Sequence, residues 1–389
     1  GDVYALMSDG VWDVLDQATL HHVMGLYDNP QLICDELTRL AIAQGGHDNA
    51  TVLAAHVVQL GEETLTDLLA EHRHLRVPPK MKAGDVIDQF EVLSVLHESR
   101  ASLIYKVRHR ITNQLWVLKT LQPLLAEDRD SCQALLNEEW LAKRVVSQYL
   151  PQVLPLTAEQ RSQLYYVMSW HEGATLQHRL DNGHHFTTAG ITGIGIALLR
   201  GLGALHRLQI LHRDIKPANL HMAMDQRLRI LDLGVALSPV TGHIASMDNP
   251  GTPSFMAPEL FDGAGASVSS DLYAAGVTLY YLLTRKYPYG EIEPFQHPRF
   301  GEPVPPTRYR PEIPRWLENI LLKAVARLPE HRFETAEEIL LALEIGETRP
   351  ILPPPRTPLI ARARLVKWQW IALVSLMVNF MLLYLLIVS

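Results

Sequence analysis

A short polar segment between two apolar runs carries residue types that suit phosphoryl transfer. The sequence Leu-His-Arg-Asp-Ile-Lys-Pro-Ala-Asn-Leu occupies positions 211–220. A carboxylate such as Asp214 can accept the proton of an attacking hydroxyl, and the ammonium group of Lys216 can neutralise charge on the group in transfer. The side-chain oxygen of Asn219 suits Mg²⁺, a hard cation that takes oxygen ligands. The alternative interpretation is a polar loop without chemistry.

Two further motifs decide between these interpretations. One apolar run ends in Val-Leu-Lys at 117–119, and a later one ends in Asp-Leu-Gly at 232–234. Together with His-Arg-Asp-x-Lys-x-x-Asn at 212–219, they resemble the motifs of the protein kinases, with leucine in place of the usual phenylalanine after the last aspartate. The lysine in the central motif resembles the Ser/Thr-specific branch. The resemblance implies ATP and Mg²⁺ as cofactors and protein hydroxyl groups as acceptors.

The resemblance also implies a role for each residue of the catalytic half. Asp214 would orient and deprotonate the acceptor hydroxyl, and Lys216 would steady the γ-phosphoryl group. Asn219 and Asp232 would hold Mg²⁺. Thr252, in the segment Gly-Thr-Pro-Ser-Phe-Met-Ala-Pro-Glu, would help to seat the acceptor. Three further positions match structural roles of the family: Asp271, bonded to the catalytic-loop backbone, and the ion pair of Glu259 with Arg332.

The nucleotide-binding half is expected to precede this segment. Lys119 resembles the strand lysine that holds the α- and β-phosphates of ATP, and Glu138 on the following helix is its expected ion-pair partner. Glu139 is the fallback, and whichever of the two glutamates is not the partner is expected to be a solvated helix charge. Met168 lies at the gatekeeper-like position, and His171 lies in the hinge whose backbone would bind adenine.

The loop expected to cover the phosphates departs from the family pattern. Its three glycine positions are occupied by His97, Ser99 and Ser102. Glycine lets the backbone approach phosphate and adopt positive φ, and serine at a left-handed position costs about 1 kcal/mol. Serine keeps its N–H group and adds a hydroxyl, so these three residues remain candidate ATP contacts. The alternative is a degenerate loop with weaker nucleotide binding.

Residues 1–57 resemble the C-terminal part of the PP2C-type metal-dependent Ser/Thr phosphatases. An apolar alternating run ends in Ser-Asp-Gly at 8–10, and Asp48 precedes a β-branched strand. Asp9 and Asp48 fall on that family's metal-ligand aspartates, which belong to a two-metal centre. The family's earlier motifs are absent, so we expect a partial α/β sandwich without phosphatase activity in this chain.

The end of the chain predicts a membrane anchor. Residues 58–83 are expected to be a linker and residues 346–366 a tether rich in proline and arginine. Residues 367–389 form an apolar run with one lysine at its start, long enough at about 1.5 Å per residue to cross a bilayer. The preceding arginines predict a cytoplasmic kinase domain on a bacterial inner membrane. A net charge of −7 argues against general nucleic-acid binding.

The predicted architecture is therefore a two-lobed α+β kinase-like domain over residues 84–345, with a phosphatase-like fragment before it and one transmembrane helix after it. The predicted function is that of a membrane-anchored Ser/Thr protein kinase. Two alternatives remain open at this point. One is a pseudokinase scaffold, which the missing glycines favour. The other is part of a PP2C-type phosphatase completed by sequence upstream of residue 1.

Overall fold

A computed structural model of the chain describes residues 3–27, 29–45, 49–56, 64–72, 74–238, 252–293, 298, 300–353 and 371–378. The chain divides into two compact units between Asp67 and Leu68. Each unit has its own buried apolar core, and each is described separately below.

The first unit combines a two-stranded antiparallel sheet with short helices. Leu6 pairs with Leu53 across the sheet, and alternate residues of the first strand are half-buried. Val11, Ile33 and Leu37 are fully buried in the core on which this face of the sheet packs. The elements are β1 (Val3–Met7), α1 (Asp9–Trp12), α2 (Gln17–Leu26), α3 (Pro30–Ala43) and β2 (Val52–His56), and the division between the units falls within α4 (Leu65–His72).

The smaller lobe of the second unit is a five-stranded antiparallel sheet with one long helix. Residues Leu103, Tyr105 and Val107 alternate along one strand and are fully buried, as expected for a sheet with one face on the core. The strands are β3 (Val86–Ile87), β4 (Phe90–Glu98), β5 (Ser102–His109), β6 (Leu115–Leu121) and β7 (Tyr165–Ser169), hydrogen-bonded in that order, and the helix is α5 (Arg129–Arg144).

The larger lobe is mainly helical and carries a small three-stranded sheet at its start. Its central helix, α9, begins with a capping box between Ser267 and Ser270 and is buried along nearly its whole length. The elements are β8 (Gly173–Thr175), α6 (Leu176–Asp181), α7 (Thr188–Arg207), β9 (Leu220–Ala223), β10 (Leu228–Ile230), α8 (Pro258–Phe261), α9 (Val268–Thr284), α10 (Arg315–Ala324) and α11 (Ala336–Ile345). The two-lobed α+β architecture predicted from the sequence is confirmed.

The second half of the predicted linker packs on the smaller lobe rather than lying free. Leu68, His72 and Met81 are buried. The carbonyl of Arg76 accepts a hydrogen bond of 2.8 Å from the N–H of Leu164, which immediately precedes β7. Because these side chains are buried, residues 68–83 belong to the compact second unit. The predicted domain start at residue 84 stays a prediction based on motifs.

The predicted transmembrane helix is described only in part, as a helix with exposed side chains over residues 371–378. Among the described residues, one helix is long and apolar enough to cross a membrane by length and composition alone, and that helix is α7. Half of its apolar stretch is buried inside the larger lobe, which is typical of a core helix. The membrane anchor therefore stays a prediction.

Candidate active site

The catalytic loop is held from outside by the central helix of the larger lobe. The backbone N–H groups of His212 and Arg213 donate to the two carboxylate oxygens of Asp271, at 2.8 and 2.9 Å. Asp271 is 1% exposed, and His206 approaches the same carboxylate at 3.0 Å. Arg213 takes a positive φ of 69°, a conformation that these hydrogen bonds help to hold. The bond predicted from Asp271 to this loop is therefore present.

The three polar residues of the loop converge on one carboxylate. The ammonium of Lys216 lies 2.7 Å from Oδ2 of Asp214, and the side-chain amide of Asn219 donates to the same oxygen at 2.9 Å. Lys216 also donates to the hydroxyl of Thr252 at 2.9 Å. This contact places Thr252 beside the catalytic loop, and its expected role in seating the acceptor stays a prediction. The carboxylate of Asp214 is therefore oriented by one cationic partner, Lys216, and one neutral donor, Asn219.

A cluster of three charges joins the smaller lobe to the segment that follows β10, with Lys119 and Glu138 buried and Asp232 exposed. The ammonium of Lys119 contacts Oε1 of Glu138 at 2.6 Å and Oδ1 of Asp232 at 2.8 Å. Burial opposes the charge of Lys119, but the two carboxylates outweigh it and hold its pKa above the usual value. Burial raises the pKa of Glu138 to about 7 against the effect of Lys119. Two carboxylates thus share one ammonium group.

The pKa of Asp232 shifts in the opposite direction from that of Glu138. Burial opposes its charge, but Lys119 and the backbone N–H of Gly234 stabilise the carboxylate and hold its pKa well below the usual value. Of the two carboxyl groups of Glu138 and Asp232, that of Asp232 is therefore the more readily ionised. Its φ of 67° is one of few positive values among the described non-glycine residues.

The donor set of the site fits Mg²⁺. The N–H of Leu231 donates to the carbonyl of Asn219 at 2.8 Å, so the segments that carry Asn219 and Asp232 lie side by side. The amide nitrogen of Asn219 is directed at Asp214, which leaves its side-chain oxygen for a cation. Mg²⁺ at nucleotide sites is bound by one or two protein oxygens together with phosphate and water, so these two residues suffice.

The loop between β4 and β5 is closed by its own side chains. The hydroxyl of Ser99 accepts hydrogen bonds from the N–H groups of Ala101 and Ser102, at 3.2 and 3.0 Å. It also lies 3.2 Å from the hydroxyl of Ser102. No residue of 97–102, all of which are described, has positive φ, so the left-handed strain expected for serine does not arise. The predicted phosphate contacts of His97, Ser99 and Ser102 stay predictions.

The hinge is built around two histidines. Nε2 of His171 lies 2.9 Å from the hydroxyl of Ser169, and His221 of β9 contacts the carbonyl of His171 at 3.1 Å. Burial lowers the pKa of both imidazoles, and neighbouring Arg229 adds to the effect. Met168 pairs with Val117 at the edge where β6 meets β7. His221 was not predicted from the sequence, because only the pairing of β9 with β8 brings it into contact with the hinge.

Glu139 corrects one expectation. It is buried, not a solvated helix charge, and its carboxylate contacts the fully buried guanidinium of Arg161 at 2.7 Å. The predicted ion pair of Glu138 with Lys119 is present. The structural pair of Glu259 with Arg332 is also present, with two contacts of 2.7 Å. Successive glutamates on α5 therefore face two different buried cations, which the helical period explains.

The candidate phosphatase residues are described only in part. The carboxylate of Asp9 accepts a hydrogen bond from the N–H of Gly10 at 2.8 Å, and the hydroxyl of Ser8 donates to the carbonyl of Asn49 at 2.8 Å. The turns that carry the two motifs are therefore adjacent. Asp48 lies outside the described residues. Within the described parts of the chain, no group of three His, Cys, Asp or Glu residues could hold a metal ion.

Comparisons with known proteins agree with this geometry. A model of the protein kinase domain matches residues 90–340. The serine/threonine-protein kinase PknA of Nostoc is 33% identical over 265 residues, which cover 64% of this chain and 44% of that protein. A probable serine/threonine-protein kinase of Streptomyces coelicolor is 30% identical over 269 residues, which cover 66% of this chain and 39% of that protein.

Solved structures give the same result. The crystal structure of the Mycobacterium tuberculosis PknI kinase domain is 26% identical, has a TM-score of 0.53 and covers 69% of this chain and 100% of that domain. The chain spans less than half the length of the two curated relatives above. The match to the kinase-domain model nevertheless includes strands β4 to β7, the hinge and the catalytic loop. The chain belongs to the protein kinase family.

Proposed function

We propose that the protein transfers the γ-phosphoryl group of ATP to serine and threonine hydroxyls of protein substrates. The observation that carries the proposal is the convergence of Lys216 and Asn219 on the carboxylate of Asp214. The paired Lys119 and Glu138 lie in the adjoining lobe. Phosphoryl transfer depends on positioning and charge more than on covalent steps, and these groups supply both.

Each residue of the site has one task in this proposal. Asp214 accepts the proton of the acceptor hydroxyl, and Lys216 neutralises charge on the phosphoryl group while its contact with Thr252 fixes its direction. Lys119 binds the α- and β-phosphates. Asn219 and Asp232 hold Mg²⁺, which when bound offsets phosphate charge. Met168 and the backbone of His171 line the adenine side of the site.

A second candidate is a nucleotide-binding scaffold without transfer activity. The closed loop between β4 and β5 favours it, because the amide groups of Ala101 and Ser102 already donate to Ser99. The same closure is compatible with an enzyme that binds ATP weakly. Because the catalytic groups are complete, we favour the enzyme with a high KM for ATP.

Transfer of labelled phosphate from MgATP to dephosphorylated casein separates the two candidates. We expect measurable transfer by the wild-type chain. Asp214→Asn should lower turnover by orders of magnitude and leave the Kd for ATP, measured by calorimetry, within about threefold of wild type. Equal transfer by wild type and Asp214→Asn would establish the scaffold.

We also propose that residues 367–389 anchor the protein in a membrane with the kinase domain on the cytoplasmic side. The support is the uncharged apolar run after Lys367 and the exposed helix over residues 371–378. Deletion of residues 366–389 should release the protein into the soluble fraction. Persistent sedimentation of the deleted chain with membranes would contradict a simple anchor.

For residues 1–57 we propose a PP2C-like fragment that is inactive in this chain. Asp9 and Asp48 provide only two of the carboxylates that a two-metal centre needs. We expect no Mn²⁺-dependent hydrolysis of a phosphothreonine peptide. Hydrolysis that disappears in Asp48→Ala would show that the fragment is active.

A further inference from the structure

A tyrosine on the strand next to Lys119 reaches the same carboxylate oxygen as the lysine. Tyr166 lies directly opposite Lys119 in the register of β6 and β7. Its hydroxyl donates to Oε1 of Glu138 at 3.0 Å, and Lys119 contacts that oxygen at 2.6 Å. Both Tyr166 and Glu138 are 3% exposed, so neither has water as an alternative partner.

Tyr166 compensates for a deficit of positive charge in the cluster. Glu138 and Asp232 both contact the single ammonium group of Lys119. Two carboxylates that share one ammonium group repel each other, which weakens the hold of Lys119 on each of them. A hydroxyl donor on Oε1 stabilises Glu138 without adding a charge.

The neighbouring tyrosine shows that the contact is specific. Tyr165 is also buried, but it points to the other face of the sheet, where its hydroxyl donates to Asp88 at 2.6 Å. A buried tyrosine usually finds a hydrogen-bond partner, and each of these two has a different carboxylate. Tyr166 therefore places a phenol hydroxyl inside the charge cluster, and Tyr165 places the same group away from it.

We infer that Tyr166 is a positioning residue for phosphoryl transfer: its hydroxyl holds Glu138 on Lys119 and so keeps the lysine directed at the phosphates of ATP. The inference rests on the proposed kinase function. In this role Tyr166 acts through Glu138 and not on the substrate itself. Its loss should therefore impair the use of ATP and leave the acceptor side of the site intact.

The test compares Tyr166→Phe with Tyr165→Phe in the full chain, with casein as acceptor and MgATP varied. Each variant removes one buried hydroxyl and keeps the ring. Loss of a hydrogen bond to a charged group predicts about a tenfold fall in kcat/KM for ATP in Tyr166→Phe. The KM for casein should stay within twofold of wild type. Tyr165→Phe should stay within twofold of wild type on every parameter, although its melting temperature should fall.

A double-mutant cycle distinguishes positioning from a general packing effect. In a Glu138→Gln background, Tyr166→Phe should cost less than twofold further in kcat/KM or in the Kd for ATP. A further tenfold loss in that background would overturn the inference, as would a Tyr166→Phe variant equal to Tyr165→Phe beside an active wild type. If the wild type transfers no phosphate, the proposed function fails, and the Kd for ATP in the same cycle still tests Tyr166.

Discussion

Two loops of the candidate site, the catalytic loop and the loop between β4 and β5, are stabilised in opposite ways. The catalytic loop at 211–220 is anchored by residues distant in sequence. Asp271 of α9 accepts hydrogen bonds from two backbone N–H groups of the loop, and the hydroxyl of Thr278 of α9 donates to a backbone carbonyl of the loop. The loop between β4 and β5 is stabilised mainly by the hydroxyl of Ser99, one of its own residues. Because the catalytic loop is anchored from outside, its own side chains remain available for chemistry. In the loop between β4 and β5, the side chain of Ser99 is already engaged in bonds that hold the loop itself.

Under the proposed kinase function, this difference predicts that the catalytic loop is better suited to its task than the loop between β4 and β5. In the catalytic loop, the backbone donors are satisfied by Asp271, so Asp214, Lys216 and Asn219 can interact with one another and with substrate. In the other loop, the donors that would bind phosphate are satisfied by Ser99. A phosphate must break the hydrogen bonds to Ser99 before it can bind the amides of this loop, which makes binding less favourable.

The largest expected effect comes from removing the external anchor. Asp271→Asn replaces one acceptor oxygen by a donor that faces a backbone N–H. Hydrogen bonds to charged groups contribute about 1.5–3 kcal/mol each, so we expect kcat to fall by about 100-fold. The Kd for ATP should change little, because Asp271 lies behind the catalytic loop.

Asp181→Asn on α6 is the matched control for this prediction. Its carboxylate accepts from Gln177 on an exposed helix face, so kcat should equal that of wild type. Steady-state kinetics with calorimetry measures both constants. An Asp271→Asn variant with wild-type kcat would mean that the loop needs no external anchor, and the contrast between the loops would then be lost.

The sequence predicted the catalytic half in detail because its residues act in fixed local spacing. The spacing of Asp214, Lys216 and Asn219 within one segment is visible without a fold. Lys119, Glu138 and Asp232 were assigned from the family motifs, and the fold brings them together. The two-lobed α+β class was predicted on the same basis.

The sequence could not predict contacts that depend on strand register or burial. Tyr166 reaches Glu138 only because β7 pairs with β6 in one register, and a shift of one residue would place Tyr165 there instead. Glu139 was expected in solvent, but Arg161, which is 22 positions away, lies against it. The docking of residues 68–83 likewise depends on tertiary packing.

A smaller effect is expected from opening the self-closed loop. Ser99→Gly removes the hydroxyl that occupies the amides of Ala101 and Ser102, and we expect the KM for ATP to fall by about three- to tenfold, the equivalent of one ordinary hydrogen bond. kcat should remain unchanged. Kinetics at varied MgATP measures both constants.

Ala101→Gly is the matched control because it adds backbone freedom to the same loop and keeps the hydroxyl of Ser99. It should leave the KM for ATP within twofold of wild type. A rise of KM in Ser99→Gly would mean that the serine hydroxyl itself contacts phosphate. In that case the glycine at position 99 would have removed a ligand, and the loop would be adapted rather than degenerate.

The smallest expected effect concerns Gln122, which contacts the self-closed loop from outside. Gln122, which follows β6, donates from its side chain to the carbonyl of Ser99 at 2.8 Å, and its backbone N–H donates to the carbonyl of Ala101 at 2.9 Å. Gln122→Ala removes only the side-chain bond. The bonds made by Ser99 remain, so we expect less than a twofold change in KM for ATP and none in kcat. If Gln122→Ala instead lowers KM as much as Ser99→Gly, the loop is held from outside after all. The two loops would then differ in which neighbour anchors them, and the amides of Ala101 and Ser102 would be available to phosphate once Gln122 is gone.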